Sequence, residues 1–416
     1  MALDSPVPNA ASIGPAAARA APERSPRARR AVFRGLAALL SIVMCFLSAE
    51  LGLVVAAPYL PRGLANHVFS PMFNRAHEVW FYDAGRSLGL MLPNLSIQDF
   101  TNGYWFRHFT DEHGFRNPPD TPKKTLLLGD SMIYGFGADV QDTAAHLLRT
   151  QYGRAVYNMA RPADCLYQNY VLLRAHLPEF QGVERVIVFV FINDPFDILA
   201  VRPGSLVYAM PELTDPNYAA LTHYAHHPPP RPPPSLLHRL SNLHTVRLYT
   251  GLRDLPSLEL PGVMFSIEDD AAERGLIVAP YLQALQQQGT FAAASQYYRR
   301  VIADLHRRLQ ARGIKLQLVH LETLGALPEG VVEFARLGAL VSQVCRQNEL
   351  QCFTTKELFA GCSDCYLPGD GHFTLSGHRR LAGFVDGIIG GQQEPNLPPR
   401  VIPPFAPTGE PPLVVP

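Results

Sequence analysis

Two kinds of hydrophobic patterning divide the chain. Residues 35–60, "GLAALLSIVMCFLSAELGLVVAAPYL", form one apolar run whose single charge is Glu50. The run lacks the polar stripe of a soluble core helix, and it exceeds the roughly 20 residues needed to cross a bilayer. From residue 125 onward, short apolar runs alternate with stretches whose apolar residues recur three and four apart. Short runs bounded by charged or turn residues predict buried strands, and the second spacing predicts amphipathic helices.

The order of these elements sets the fold. "TLLLG" after Lys124 is the first strand, followed by a helix at about 140–151. "AVYNMA" is the second strand and "NYVLLRAHLPEF" the next helix. "ERVIVFVFINDP" is the third strand, stopped by Pro195. The helix "FAAASQYYRRVIADLHRRLQARG" ends at Gly313 and leads into the strand "IKLQLVHL". A helix at about 330–347, the strand "LQCFTT" and a helix at roughly 375–390 complete the series. Such alternation predicts a three-layer α/β/α domain on a mostly parallel sheet. In such a sheet the site lies beyond the C-terminal ends of the strands.

Other segments break the rhythm. Residues 1–34 are rich in Ala, Pro and Arg without apolar periodicity, and are read as a disordered basic tail. Residues 61–120 are read as a spacer and lead-in, with short extended segments before the domain, and 121–390 as the domain, with an insertion at 200–290. The insertion holds the Pro-rich "HYAHHPPPRPPPSLLHRL", which excludes helix and central strand, and a lid or cap is expected there. The tail 391–416 is too Pro-rich to form a regular element.

The arginines before residue 35 place the N-terminus in the cytoplasm by the positive-inside rule, and the rest of the chain outside. The apolar run is read as a transmembrane signal anchor in the inner membrane. A cleaved signal peptide, with "VVAAP" offering the small residues, is the alternative. Glu50 is read as an acid near the outer end of a tilted helix. Outside the membrane, disulfides persist, so Cys345 with Cys352 and Cys362 with Cys365 are candidate bridges. A zinc site built from the four is the rival reading.

The 416 residues are 47% hydrophobic, with 36 basic and 36 acidic side chains. No basic stretch with interleaved aromatics suggests nucleic acid. No phosphate loop or dinucleotide fingerprint implies a cofactor. His223, His226 and His227 beside the polyproline run lack a carboxylate at ligand spacing, so no metal site is expected.

Candidate chemistry begins at "GDS", where Ser131 ends a strand and opens a helix. A hydroxyl needs a base to become a nucleophile; from these three residues alone, an N-cap is the better reading of this Ser. "LPGDGHFTLSGHRRLAGF" supplies Asp370 and His372 just before a helix, and an Asp near a His can orient it as a base. His378 lies within that helix and is read as structural. Asn193 closes the apolar third strand, either as an oxyanion donor or as a turn former before Asp194 and Pro195.

Four blocks, "GDS", "YNMA", "IND" and "DGH", in this order and at strand ends, resemble the SGNH/GDSL hydrolase family over about residues 121–390. The lead-in "DEHGFRNPPDTPKKTLLLGDSMIYGFGADV" resembles its exported, membrane-anchored bacterial branch. The resemblance implies a flavodoxin-like fold on five strands. It also implies Ser131 as nucleophile, His372 as base and Asp370 as its orienting acid. Ser131, Ala160 and Asn193 would form the oxyanion hole. The family usually has Gly where this chain has Ala160, and its acid commonly stands three residues before the His, where this chain has Gly369. A Ser131–His372 dyad therefore stays open.

The expected function is a membrane-anchored serine esterase acting on O-acyl, chiefly acetyl, esters of a cell-surface glycan, with a lipid ester as second substrate class. The same residues serve an O-acyltransferase, which would need a membrane-bound acyl-donor protein. A non-catalytic glycan-binding or assembly protein is the third reading.

Overall fold

The computed structural model describes residues 26–71, 79–83, 88–101, 103–162, 164–191, 194, 236–253, 288–322, 332–367, 371–398 and 402. The chain divides into two compact units, Met1–Val55 and Ala56–Pro416.

The first unit holds helix α1, Pro26–Ala56. The stretch Arg30–Tyr59, which overlaps α1, holds an 18-residue segment of mean hydropathy 2.3 and is long and apolar enough to cross a membrane, as an anchor or as a signal sequence. The helix starts upstream of residue 35, so part of the expected disordered tail is helical. Ala and Arg are strong helix formers, and a Pro at the first helical position is pre-set for the turn.

The second unit is built on strands β5 (Thr125–Leu128), β6 (Val156–Asn158), β7 (Arg185–Val190), β8 (Lys315–His320) and β9 (Gln351–Thr354). They pair in the order β6-β5-β7-β8-β9, all parallel. This is the expected five-stranded parallel sheet. Leu126, Leu127 and Leu128 of β5 and Val186 to Val190 of β7 are buried, as continuous apolar runs require when both sheet faces are covered. Because β5 runs first and has β6 on one side and β7 on the other, its C-terminal end is the topological switch point.

The helices are α3 (Ser131–Tyr134), α4 (Ala144–Thr150), α5 (Leu166–His176), α8 (Gln288–Gln310), α9 (Val332–Gln347) and α11 (Leu375–Gly390), with the short α10 at Lys356–Phe359. Helix α8 packs beside α5 and α9, and α11 packs beside α4. Right-handed crossovers put these two groups on opposite faces. The result is the three-layer α/β/α fold expected from the alternation.

Residues 61–120 hold the expected short extended segments, here paired, together with a helix. They form α2 (Arg62–Phe69) and two antiparallel hairpins, β1 (Trp80–Asp83) with β2 (Leu88–Met91) and β3 (Ser96–Thr101) with β4 (Tyr104–Phe109). Phe100 and Phe106 of the second hairpin are fully buried, so this segment belongs to the domain. Of the 200–290 insertion, α6 (Leu236–Ser241), α7 (His244–Arg253) and the first turn of α8 are described. Helix α7 packs on α2: Arg247 donates to the Val68 carbonyl at 3.2 Å, and His67 Nε2 lies 3.1 Å from Thr250 Oγ1. The rest of the expected lid, with His223, His226 and His227, lies outside the described residues.

The start of the tail has no regular structure but covers the edge of β9. The Leu397 N–H donates to the Cys352 carbonyl at 3.3 Å, and the Asn396 side chain bonds the Thr354 N–H and carbonyl. Edge strands need such cover. Cys345 is bonded to Cys352 and Cys362 to Cys365. The zinc reading of these four cysteines is thereby replaced, because a disulfide sulfur is no thiolate ligand.

Candidate active site

The geometry at Ser131 follows from local rules. Strand β5 ends at Leu128, and Asp130 caps the next helix by accepting the Met132 N–H at 2.9 Å. Helix α3 is a single turn that stops at Gly135, whose φ of +83° is the left-handed conformation glycine favours. A side chain at Gly135 would also collide with Thr143. Ser131 thus stands where the strand has ended and the helix has just begun, 8% exposed.

His372 meets it from the other end of the domain. Its Nε2 lies 2.8 Å from Ser131 Oγ, and the imidazole is fully buried. A short loop aims the ring. The Leu367 N–H donates to the His372 carbonyl at 2.7 Å, Tyr366 bridges Phe373, and Gly371 takes a φ of +85°. The Cys362–Cys365 disulfide precedes this loop. The Cys365 carbonyl accepts the Thr374 N–H at 2.9 Å, and Thr374 caps α11. The Phe136 ring leans on the imidazole at 5.0 Å between centroids.

The remaining expected residues divide. Asp370 and Asn193 lie outside the described residues. Asp194, beside Asn193, accepts the Phe191 N–H at 2.6 Å and closes the turn after β7. Ala160 is fully buried past the end of β6, but its N–H donates to Asn158 Oδ1 at 3.0 Å. That donor is therefore already engaged within its own turn. His378 is buried in α11, where burial, with Arg116 and His372 nearby, lowers its pKa to about 3. It is neutral at ordinary pH.

Further residues build the site, most of them outside the four blocks. Asn169 of α5 grips the glycine before Asp130 from both sides. Its Nδ2 donates to the Gly129 carbonyl at 3.1 Å, and its Oδ1 accepts the Gly129 N–H at 3.3 Å. Asn158 donates to the Ile133 carbonyl at 3.0 Å and so ties β6 to α3. Asn117 holds Asn158 in turn, donating to its carbonyl at 2.9 Å and accepting its N–H at 2.8 Å. Arg116, fully buried, donates to the Gly135, Ala138 and Arg107 carbonyls.

Asp99, His108 and Tyr134 form a buried chain from the β3–β4 hairpin to the helix that Ser131 opens. Asp99 Oδ2 lies 2.6 Å from His108 Nε2, and His108 Nδ1 lies 2.7 Å from the Tyr134 hydroxyl. Burial lowers the His108 pKa, and Asp99 opposes that shift.

The electrostatics centre on Asp130. Burial pushes its carboxyl up to about 6, with the Asp164 carboxylate adding to the rise and His372 opposing it. Asp164 forms a buried bidentate pair with Arg161, at 2.8 and 2.7 Å. Above pH 6 Asp130 is an anion near His372.

A hydroxyl within hydrogen-bond reach of an imidazole, at the switch point of a parallel sheet, is the arrangement of an activated nucleophile and its base. No protein-family model and no curated protein matches the chain. Solved structures do. TesA is 14% identical, and the match covers 64% of this chain and 96% of that one at a TM-score of 0.32. A lipolytic protein of the G-D-S-L family from Desulfitobacterium hafniense DCB-2 is 9% identical, with 64% and 99% covered and a TM-score of 0.34. A mutant of Axe2, an acetyl-xylooligosaccharide esterase from Geobacillus, is 13% identical, with 63% and 92% covered and a TM-score of 0.30. These likenesses are slight, and the α/β fold rests on this chain's own sheet topology.

Proposed function

We propose that the chain is a serine esterase of the SGNH/GDSL type, held to a membrane by α1 with its domain on the outer side. The observation that carries this reading is the 2.8 Å approach of His372 Nε2 to Ser131 Oγ. His372 takes the hydroxyl proton as Ser131 attacks an ester carbonyl. It then returns that proton to the leaving alcohol, which leaves an acyl group on Ser131. Water, deprotonated by His372, releases the acid and restores the Ser131 hydroxyl. Asp370 orients the imidazole. The Ser131 N–H and the Asn193 amide receive the oxyanion, and Ala160 contributes to it only by giving up its bond to Asn158.

The proposed substrate is a small acyl ester, chiefly acetyl, on a cell-surface glycan. The outward placement of the domain by the positive-inside rule supports it. The test is incubation of the full chain with p-nitrophenyl acetate, with and without an oligosaccharide acceptor, beside Ser131→Ala. Ser131-dependent nitrophenol release with the sugar unmodified supports the esterase. Acetyl on the sugar would replace it with a transferase.

A further inference from the structure

Helix α5 begins near the nucleophile, where Asn169 bonds Gly129, and runs back across the sheet face. Its 11 residues carry the chain about 16 Å from that end. At its far end, His176 and Glu179 meet His113, which comes from the loop between β4 and β5. One ligand atom from each of the three lies within 4.8 Å of the other two. The two imidazoles stand in a T-shaped contact at 5.3 Å.

The setting suits a cation. The C-terminal end of a helix carries partial negative charge, and α5 ends at His176. Glu179 is an exposed carboxylate, and Glu112 Oε1 lies 3.4 Å from His113 Nε2 at the rim. His176 is buried, His113 half-buried and Glu179 exposed, so one side of the cluster is open to water. Lys123, a nearby cation, is held over the Tyr157 and Phe180 rings at 4.9 and 5.2 Å.

We propose that His113, His176 and Glu179 form a binding site for a borderline divalent cation of the zinc class, completed by water. Two imidazole nitrogens and one carboxylate favour such an ion over magnesium or calcium, which take oxygen ligands. Bonds near 2.1 Å place tetrahedral donors about 3.4 Å apart, so the ion draws the three together. His113 and Glu179 have the exposure to move. The ion pins residues 111–117 to α5. That loop also carries Asn117, which holds Asn158, so the metal is a stabilising clamp behind the site and takes no part in acyl transfer.

The test uses the full chain in detergent after treatment with a chelator. Zinc chloride and magnesium chloride are titrated separately, and binding and thermal unfolding are followed. At a hundredfold excess over its Kd, zinc is expected to raise Tm by about 5 °C, and magnesium to leave it unchanged. Glu179→Gln, an exposed change that leaves the fold intact, and His113→Gln should each weaken zinc binding at least about tenfold. Absence of zinc binding by the wild type would overturn the proposal. So would zinc binding undiminished in both variants, which would assign the ion elsewhere, for example to His223, His226 and His227.

Discussion

Replacing Asn169 by Ala tests whether the nucleophile is placed by a grip on the backbone behind it. The substitution removes three hydrogen bonds, from Nδ2 to the Gly129 and Cys165 carbonyls and from the Gly129 N–H to Oδ1. Two of the three backbone groups keep a partner. The Cys165 carbonyl still accepts the N–H of residue 169 at 3.1 Å, and the Gly129 carbonyl still accepts the Arg161 N–H at 3.4 Å. The Gly129 N–H loses its side-chain acceptor in the buried interior. Leaving such a donor unmet costs about 1–3 kcal/mol, and each remaining bond lost costs about 0.5–1.5 kcal/mol. A total near 3 kcal/mol is expected, or a fall in Tm of about 6 °C. Gly129 is two residues from Ser131, so release of the grip also misplaces Oγ against His372. A displacement of about 1 Å lowers kcat by roughly a hundredfold. Nitrophenyl acetate turnover and thermal unfolding read both effects. A variant with wild-type kcat and an unchanged Tm would refute the reasoning, since neither the buried donor nor the position of the nucleophile would then depend on Asn169.

Asp130 gives a pH signature. Its folded pKa, about 6, stands above the ordinary 3.8, so the folded state holds its proton more tightly than the unfolded chain. Stability therefore falls as pH rises from about 4 to about 6, by up to about 3 kcal/mol. Asp130→Asn, which keeps an oxygen for the Met132 cap, should flatten that part of the curve in urea unfolding; a parallel decline in both proteins would contradict the assignment. Reduction of the disulfides should lower Tm, because the chain-entropy model gives about 2 kcal/mol for each of these short loops. It should also lower turnover, since Cys365 anchors the loop that carries His372; an unchanged melting curve with free thiols shown by mass would remove this prediction.

The parallel sheet was legible because strands buried on both faces carry continuous apolar runs, as residues 126–128 of β5 and 186–190 of β7 do. The meeting of Ser131 with His372 was suggested by the ordered set of blocks, since a polar residue at a helix start is by itself an ordinary cap. The hairpin of β3 and β4 offered a signal in the Asn-Gly dipeptide at 102–103, flanked by alternating residues. Reading 61–120 as a spacer and short extended segments passed over the turn that pairs them. Asn169 offered a fainter signal, an amide directly before the apolar run 170–173 of α5. Nothing in sequence shows that Arg116 meets the Gly135 and Ala138 carbonyls or that Asn117 meets Asn158. Such bonds exist only once distant segments have packed. The engagement of the Ala160 N–H is equally local to the folded turn.

The central claim is that Ser131 is an acyl carrier activated by His372. Its most direct test is acyl-enzyme trapping. The full chain is quenched in acid during turnover of p-nitrophenyl acetate, and the peptides are analysed by mass. One acetyl group is expected on the peptide that holds Ser131, absent from Ser131→Ala, with turnover in that variant lower by at least about a thousandfold. Acetyl on another residue, or turnover that survives the loss of Ser131, would contradict the claim.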